Sequence, residues 1–553
     1  MDTSRRTLQR WATLPVRGPR KQPPGFQRAR DRTAGGLRSR SGRLWVLAWA
    51  ALTVAVGLVV RLPGPATLDP DEHAAVLYFD RLVGGDRLED PLLSSPKPLL
   101  TVVHGLAWHG ARDWRLLEAV TVAVFALAVV CLARAAARLG GSAAAAAVVV
   151  AVAGSGPLVL QAARGNSLVF ALAGWSVALD ALTRGGAGGE RGAGRDRGGS
   201  GDDGDRGGSW GPGAAWGVAA AALTAAGLAR AETWLLLPVA AGYGVLAWRR
   251  GRRRALWLVL PLAAPLLWLA HDWLLTGDAL YGIRVPGRYT DLVSGRQVVP
   301  PGEWLALVGR RYGAEPLVLA LAAVGIVWLV RRRAWVWLAG LGITGVGILA
   351  LLGMQAWQGT YISWRYFDPA DVALRLTAAL GAAALAGAAV GRLGGRAGRG
   401  SGPAAVVGAV LLAGVACWPL APADPLVDST LARDRRLSAN AATAIDALRP
   451  VAAEPGTVIT ASGPQRVRVA IELGLPLGRV RDLFLAGLAA PLDQALAGSA
   501  AVFHDADGDR PTERFAPLST TVPTRVDGVE LVPLRTDPGR GLYVHRVGTA
   551  RAG

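Results

Sequence analysis

Apolar runs of membrane length recur along this chain, and short arginine clusters punctuate them. Reading along the sequence, such runs fall at about 44–62, 116–136, 143–160, 168–182, 214–228, 234–248, 255–275, 334–354 and 404–420, with two more ending at Arg331 and Arg392. A run of this length without charge suits a helix crossing a bilayer, because a helix satisfies its own backbone polar groups where no water can do so. Arg38, Arg40 and Arg43, then Arg134 and Arg138, then Arg249 to Arg254, Arg331 to Arg333, and Arg392 to Arg399 all fall on one side if the spans alternate. The positive-inside bias makes that side cytoplasmic. The expected architecture is an α-helical polytopic membrane protein of about eleven transmembrane helices, 44–420, with a small soluble α/β domain at 421–553.

Charge distribution excludes a nucleic-acid reading. The formal net charge is +20, but residues 1–43 hold twelve Lys or Arg against Asp2 and Asp31, which is half of the excess. Segment 421–553 has fifteen Arg and fifteen Asp or Glu and is neutral. The remaining excess sits at span ends, as membrane orientation requires, and no basic stripe with interleaved aromatics appears. The 1–43 tail, rich in Pro, Gly and Arg, reads as a disordered cytoplasmic segment able to touch anionic lipid. The Gly-rich stretch 185–213 reads as a flexible cytoplasmic loop. Two cysteines, Cys131 and Cys417, expected near opposite membrane faces, offer neither a disulfide framework nor a thiolate metal site.

Polar chemistry concentrates in the first outer loop, 64–115, around LDPDEHAAVLYFDRLVGGDRLEDPLLSSPKPLL. Asp69, Pro70 and Glu72 fit the start of a helix with a capping box, and Gly84 fits its end. Val76, Phe79 and Val83 would then line one face of an amphipathic helix on the outer membrane surface. Asp71 is the acid that capping does not need. Lys97 is one of two lysines in the chain, held between Pro96 and Pro98 at the exit of the loop. Arg164, Arg230, Arg288 and Arg365 also fall at outer boundaries, where together they can outline an anion site. Asp371 and Arg375, four residues apart on one helix, are expected to pair.

The series Pro70-Asp71-Glu72, Gly84-Gly85-Asp86 and Lys97-Pro98-Leu99 resembles the membrane glycosyltransferases of the GT-C superfamily, which use polyprenyl-phosphate sugars. The protein O-mannosyltransferases and the aminoarabinose transferases that modify lipid A are in this group. Gly227-Leu228-Ala229-Arg230-Ala231-Glu232 is similar to a later outer turn of that family, and Arg365-Tyr366-Phe367-Asp368-Pro369 to its Arg-Tyr segment. The resemblance spans about 44–390. It implies transfer of a mannose-like sugar or a pentose from a polyprenyl-phosphate donor to an extracytoplasmic glycan, lipid or protein acceptor, with inversion. It also implies that Asp71 is the base and that Lys97, Arg230 and Arg365 hold the donor phosphate. Leu99 stands where a second proline is common, and Pro96 where some members carry an acid that joins a metal site.

A divalent cation is the cofactor this pattern allows, with Glu72, Glu89 and His271 as candidate supporting or metal-binding residues and His73 and Asp272 nearby in type. No spacing fixes such a site. Asp505, Asp507 and Asp509 hint at calcium, but Ala516 falls where an EF-hand needs its bidentate acid. The alternative function is a polytopic lipid or solute transporter, which would favour repeated halves and polar residues at mid-membrane. The sequence shows no repeat, and its polar residues gather in loops.

Overall fold

The computed structural model describes residues 68, 70–88, 92, 94–192, 212–285, 301–359, 362, 364–393, 401–417, 425–483, 485, 491–506, 513–526 and 528–548. The first expected span, the basic tail, Glu89 and Arg288 lie outside these residues. Five described helices are long and apolar enough to cross a membrane, and a bent pair, Trp304–Gly313 with Pro316–Arg331, turned by 91°, is equally apolar when the two are taken together. Two shorter apolar helices, Ala214–Ala229 and Pro403–Val415, accompany them.

In chain order the helices that carry the architecture are α1 (Pro70–Gly84), α2 (Pro98–Ala111), α3 (Trp114–Ala153), α4 (Gly156–Ala163), α5 (Ser167–Gly192), α6 (Pro212–Ala229), α7 (Leu237–Arg249), α8 (Ala264–Thr276), α9 (Trp304–Gly313), α10 (Pro316–Arg331), α11 (Trp335–Gly342), α12 (Ile348–Trp357), α13 (Asp368–Leu393), α14 (Ser401–Cys417), α15 (Pro425–Ala452) and α16 (Arg466–Leu473). At 40 residues, α3 would be about 60 Å long if straight, twice the hydrocarbon thickness. Gly141 divides it, with φ 76° and ψ −163°, a backbone conformation open essentially to glycine alone. That break falls where the sequence puts the turn between the second and third spans.

Lipid exposure is legible in the burial pattern. On α8 the residues Ala264, Trp268, His271, Asp272 and Leu275 are buried at helical spacing. Leu266, Leu267, Trp273 and Leu274 are exposed on the other face. An apolar outer face is stable in hydrocarbon and not in water. Helices α10 and α13 cross at Gly325 and Gly381, where a Cβ on either glycine would overlap the facing helix backbone at Thr377 or Leu321. Close backbone approach by small residues is the usual way membrane helices gain packing energy.

The C-terminal segment forms a six-stranded mixed sheet, β1 (Ile459–Ala461), β2 (Val480–Asp482), β3 (Ala501–Asp505), β4 (Thr524–Val526), β5 (Val529–Asp537) and β6 (Leu542–Gly548), in the order β2-β1-β3-β6-β5-β4. β1 pairs in parallel with β2 and β3, and β3, β6, β5 and β4 are antiparallel. The expected strands at 457–460, 500–503 and 542–545 correspond to β1, β3 and β6, and the expected helices at 438–448 and 465–473 to α15 and α16. β2 and β4 are three residues long, and β5 carries Pro533 with a register shift beside it, so neither length nor alternation announced them.

This sheet region is not detached from the helices. Ala74, Leu77 and Tyr78 of α1, Leu92 and Leu275 share one hydrophobic core with Ala444, Leu448, Val469, Phe503 and Val544. The expectation that α1 lies as an amphipathic helix on a membrane surface is therefore corrected. Residues 72–78 are buried on all sides, whereas Val83 is 71% exposed. Packing of α16 and the sheet against the N-terminal half of α1 supplies the second buried face.

Candidate active site

Local sequence fixes the backbone around Asp71 and Lys97. Pro70 occupies the first helical position of α1, and Asp71 and Glu72 lie in the first turn, where the helix dipole favours negative charge. Lys97 is the extended residue capping α2, with φ −120° and ψ 102°, as a residue before proline must be. Its carbonyl accepts the amide of Thr101 at 2.9 Å. Two tyrosines hold the segment leading to Lys97: Tyr78 donates to the Ser94 carbonyl at 2.7 Å, and Tyr281 to the Leu92 carbonyl at 2.6 Å. Farther along, Asp272 Oδ2 accepts the Gly282 amide at 2.8 Å, and Ser95 Oγ donates to the Gly282 carbonyl at 3.3 Å. The start of the second large loop thus straps the first.

These constraints bring Lys97 Nζ to 3.1 Å from Asp71 Oδ2. Both side chains are mostly buried yet retain solvent contact, 16% and 18% exposed. The two residues singled out in the sequence, 26 positions apart, form one ion pair.

Arg230 caps the turn between α6 and a 3-10 helix, Ala231–Leu236. Its guanidinium grips Glu232 through two bonds, Nη2 to Oε1 at 2.6 Å and Nε to Oε2 at 3.2 Å. Thr233 Oγ1 donates to the Arg230 carbonyl at 2.7 Å, and Trp234 Nε1 to the Gly227 carbonyl at 2.9 Å, so this turn fixes itself. Burial would push the Glu232 carboxyl up, but the Arg230 charge and hydrogen bonds, a backbone donor and the charge of Lys97 outweigh it and hold it at about 2. Lys97 is therefore within electrostatic reach of the Arg230–Glu232 pair. Glu232 was not among the candidate residues, although it stands two positions after Arg230 in the same motif.

The other expected residues separate. Glu72 is fully buried, with Oε2 3.0 Å from Nδ1 of the equally buried His104, while Asp69, the other half of the expected capping box, lies outside the described residues. His271 is buried beside Asp272, with Nδ1 and Oδ1 3.6 Å apart. Arg365 belongs to the 3-10 turn Trp364–Phe367, and its side chain is outside the described part. Asp368, in the same motif, accepts from Gln161 Nε2 at 2.8 Å. The expected Asp371–Arg375 pair is corrected: Asp371 pairs with Arg311 of α9, and Arg375 reaches Glu315 at 3.5 Å. The sharp bend between α9 and α10 delivers both partners, which helical spacing cannot anticipate. Among the described residues no three His, Cys, Asp or Glu side chains come together as a metal-holding group.

An apolar groove opens beside this charge cluster. Leu168, Trp175, Leu341, Ile348 and Leu376 line it, with Arg230 and Glu232 also among its lining residues, and it is shallow, with a cavity volume of about 50 Å³.

Among solved structures, the crystal structure of ArnT from Cupriavidus metallidurans bound to undecaprenyl phosphate aligns with this chain at a TM-score of 0.51 and 16% identity, covering 93% of this chain and 99% of that one. This chain has the GT-C fold. The apo form of the same protein aligns at 0.48 and 16% identity, covering 92% and 99%. The Archaeoglobus fulgidus oligosaccharyltransferase AglB, in complex with an inhibitory peptide and a dolichol-phosphate, aligns at 0.48 and 12%, covering 84% and 70%. No family model and no curated protein matches the sequence. Within the GT-C fold of this chain, the Asp71–Lys97 pair and the Arg230–Glu232 pair lie where two loop motifs quoted from the sequence converge.

Proposed function

We propose that the chain is a membrane glycosyltransferase that moves a sugar from a polyprenyl-phosphate donor to an acceptor outside the cytoplasm. The observation that carries this reading is the convergence of an acid and two cations, Asp71, Lys97 and Arg230, with an apolar groove lined in part by Arg230 itself. A lipid-phosphate sugar has the matching chemistry: a long apolar chain for the groove and a phosphate for the cations.

In the proposed reaction Asp71 accepts the proton of the acceptor hydroxyl as its oxygen attacks the anomeric carbon. The bond from that carbon to the phosphate oxygen breaks, and the phosphate leaves with the electron pair, its charge met by Lys97 and Arg230, with Arg365 as a third candidate. Direct displacement of this kind inverts the anomeric centre. Phosphate is a good leaving group, so a base and preorganised positive charge are the main requirements. Both cations already face carboxylates, so the incoming phosphate competes with Asp71 for Lys97 and with Glu232 for Arg230. A mannose-like sugar or a pentose is the expected cargo. The active face, with the sheet domain, would then lie outside the cytoplasm and the N-terminus inside.

The test supplies membranes containing the protein with labelled polyprenyl-phosphate sugars and follows donor consumption. Wild type is expected to consume at least one donor and Asp71→Asn to be slowed by about 10²–10⁴. Absence of consumption with every donor, or full activity in a folded Asp71→Asn protein, overturns the reading.

A further inference from the structure

A polar cavity of about 140 Å³ lies between the helical region and the sheet region, and Leu68, His73, Arg164, Arg433, Ser438 and Arg468 are among its lining residues. Three guanidiniums, Arg164, Arg433 and Arg468, and one carboxylate, Asp434, are among its lining groups, so the wall is predominantly basic. Arg164 Nε contacts Asp434 Oδ2 at 2.8 Å, and Arg468 is held by Glu472 at 2.6 Å and Ser438 Oγ at 2.6 Å, so the wall is positioned.

Two buried polar atoms in this wall have no hydrogen-bond partner among the described residues. His73 is 3% exposed, and its Nδ1 has no hydrogen bond; Gln465 is 5% exposed, and its Oε1 has none. A buried polar atom left without a partner destabilises a fold, and is retained where a ligand or ordered solvent satisfies it. The His73 ring is kept edge-on to Trp114, with centroids 4.6 Å apart, and Trp114 Nε1 donates to Glu472 at 2.8 Å. Burial, and then the charges of Arg468 and His104, push the His73 imidazole well below its ordinary range. The ring is thus neutral and offers a donor or an acceptor without adding charge.

We propose that this cavity binds an anionic group of the acceptor, a phosphomonoester or carboxylate, and thereby presents the acceptor hydroxyl to Asp71. Leu68 and His73, which line the cavity, flank Asp71 in the sequence, so both sites draw on the N-terminal end of α1. Arg433 and Arg468 provide charge-assisted donors suited to such an anion. The cavity is built only when α15 and α16 pack on α1, which gives the sheet region a direct part in acceptor choice. The inference rests on the transferase reading and deepens it.

The test titrates purified full-length protein in micelles with methyl phosphate and follows binding calorimetrically, for wild type, Arg433→Gln, Arg433→Lys and Lys97→Gln. Arg433 is exposed at the rim, so its replacement leaves the core intact. Saturable binding, weakened about tenfold in Arg433→Gln, partly restored in Arg433→Lys and retained with at least one site in Lys97→Gln, is the expected result. No saturation, equal binding in Arg433→Gln, or loss confined to Lys97→Gln would overturn it. Repeating the titration in nanodiscs of phosphatidylglycerol or phosphatidylcholine separates the sources: weaker methyl phosphate binding in the former points to a lipid headgroup, and equal binding to a water-soluble acceptor. A failed titration with intact donor consumption removes this cavity alone; absent donor consumption with intact titration removes the transferase reading alone.

Discussion

Replacing Asp71 by Asn separates the two roles of the Asp71–Lys97 pair. At 3.1 Å and an effective dielectric of about 20, the two charges attract by roughly 5 kcal/mol before desolvation is counted. Desolvation offsets most of that, and contacting charged residues typically retain a coupling of about 0.5–3 kcal/mol. A donor phosphate must overcome this coupling to engage Lys97. Asp71→Asn abolishes it, so the variant should bind the donor more tightly, by about tenfold for 1.4 kcal/mol of coupling, while turning it over about 10²–10⁴ times more slowly. Lys97→Gln should weaken donor binding and slow transfer together. The double variant should show less than the sum of the two losses, since each single change already disrupts the pair. Donor affinity measured in purified protein, with single-turnover transfer and a thermal unfolding check, tests each quantity. Weaker donor binding in a folded Asp71→Asn protein would refute competition for Lys97, and strictly additive losses would refute the coupling.

Four further outcomes follow from the same geometry. Glu232, held at about 2 against an ordinary 4.5, contributes stability that is fully present above the ordinary value and lost as pH falls toward the folded one. Wild type should therefore lose its stability advantage over Glu232→Gln between about pH 4.5 and pH 2, read from unfolding midpoints; a pH-independent difference would contradict this. His73, whose imidazole lies well below its ordinary 6.5, favours folding above that value, and its protonation beside Arg468 opposes folding below it, so His73→Gln should flatten the acid-side decline in unfolding midpoint. Gly381→Val should force α10 and α13 apart and destabilise the protein by about 1–3 kcal/mol or more, because the added methyls meet the Leu321 backbone, not a side chain that can turn away; an unchanged unfolding temperature would count against that contact. Truncation before α15 should leave Ala74, Leu77 and Tyr78 without their covering core and give a chain that aggregates in size-exclusion chromatography, whereas a monodisperse truncated protein would show that α1 holds without the sheet.

The sequence by itself determined the helical membrane class, because span length and arginine placement are one-dimensional consequences of bilayer thickness and charge transfer. It also singled out Asp71 and Lys97, since a spare acid after a helix start and a lone lysine between prolines are visible without any fold. Arg230 came the same way, from its motif. Only the tertiary structure decided partners. Glu72, read in sequence as part of a helix start, lies against His104 of another helix, and Asp371 leaves its helical neighbour Arg375 for Arg311 across the α9–α10 bend. The burial of α1 under the sheet region was hidden for the same reason: its second apolar face has meaning only once residues some 400 positions away pack upon it. Helical periodicity records which side chains share a face, whereas ion pairs and shared cores depend on which faces meet.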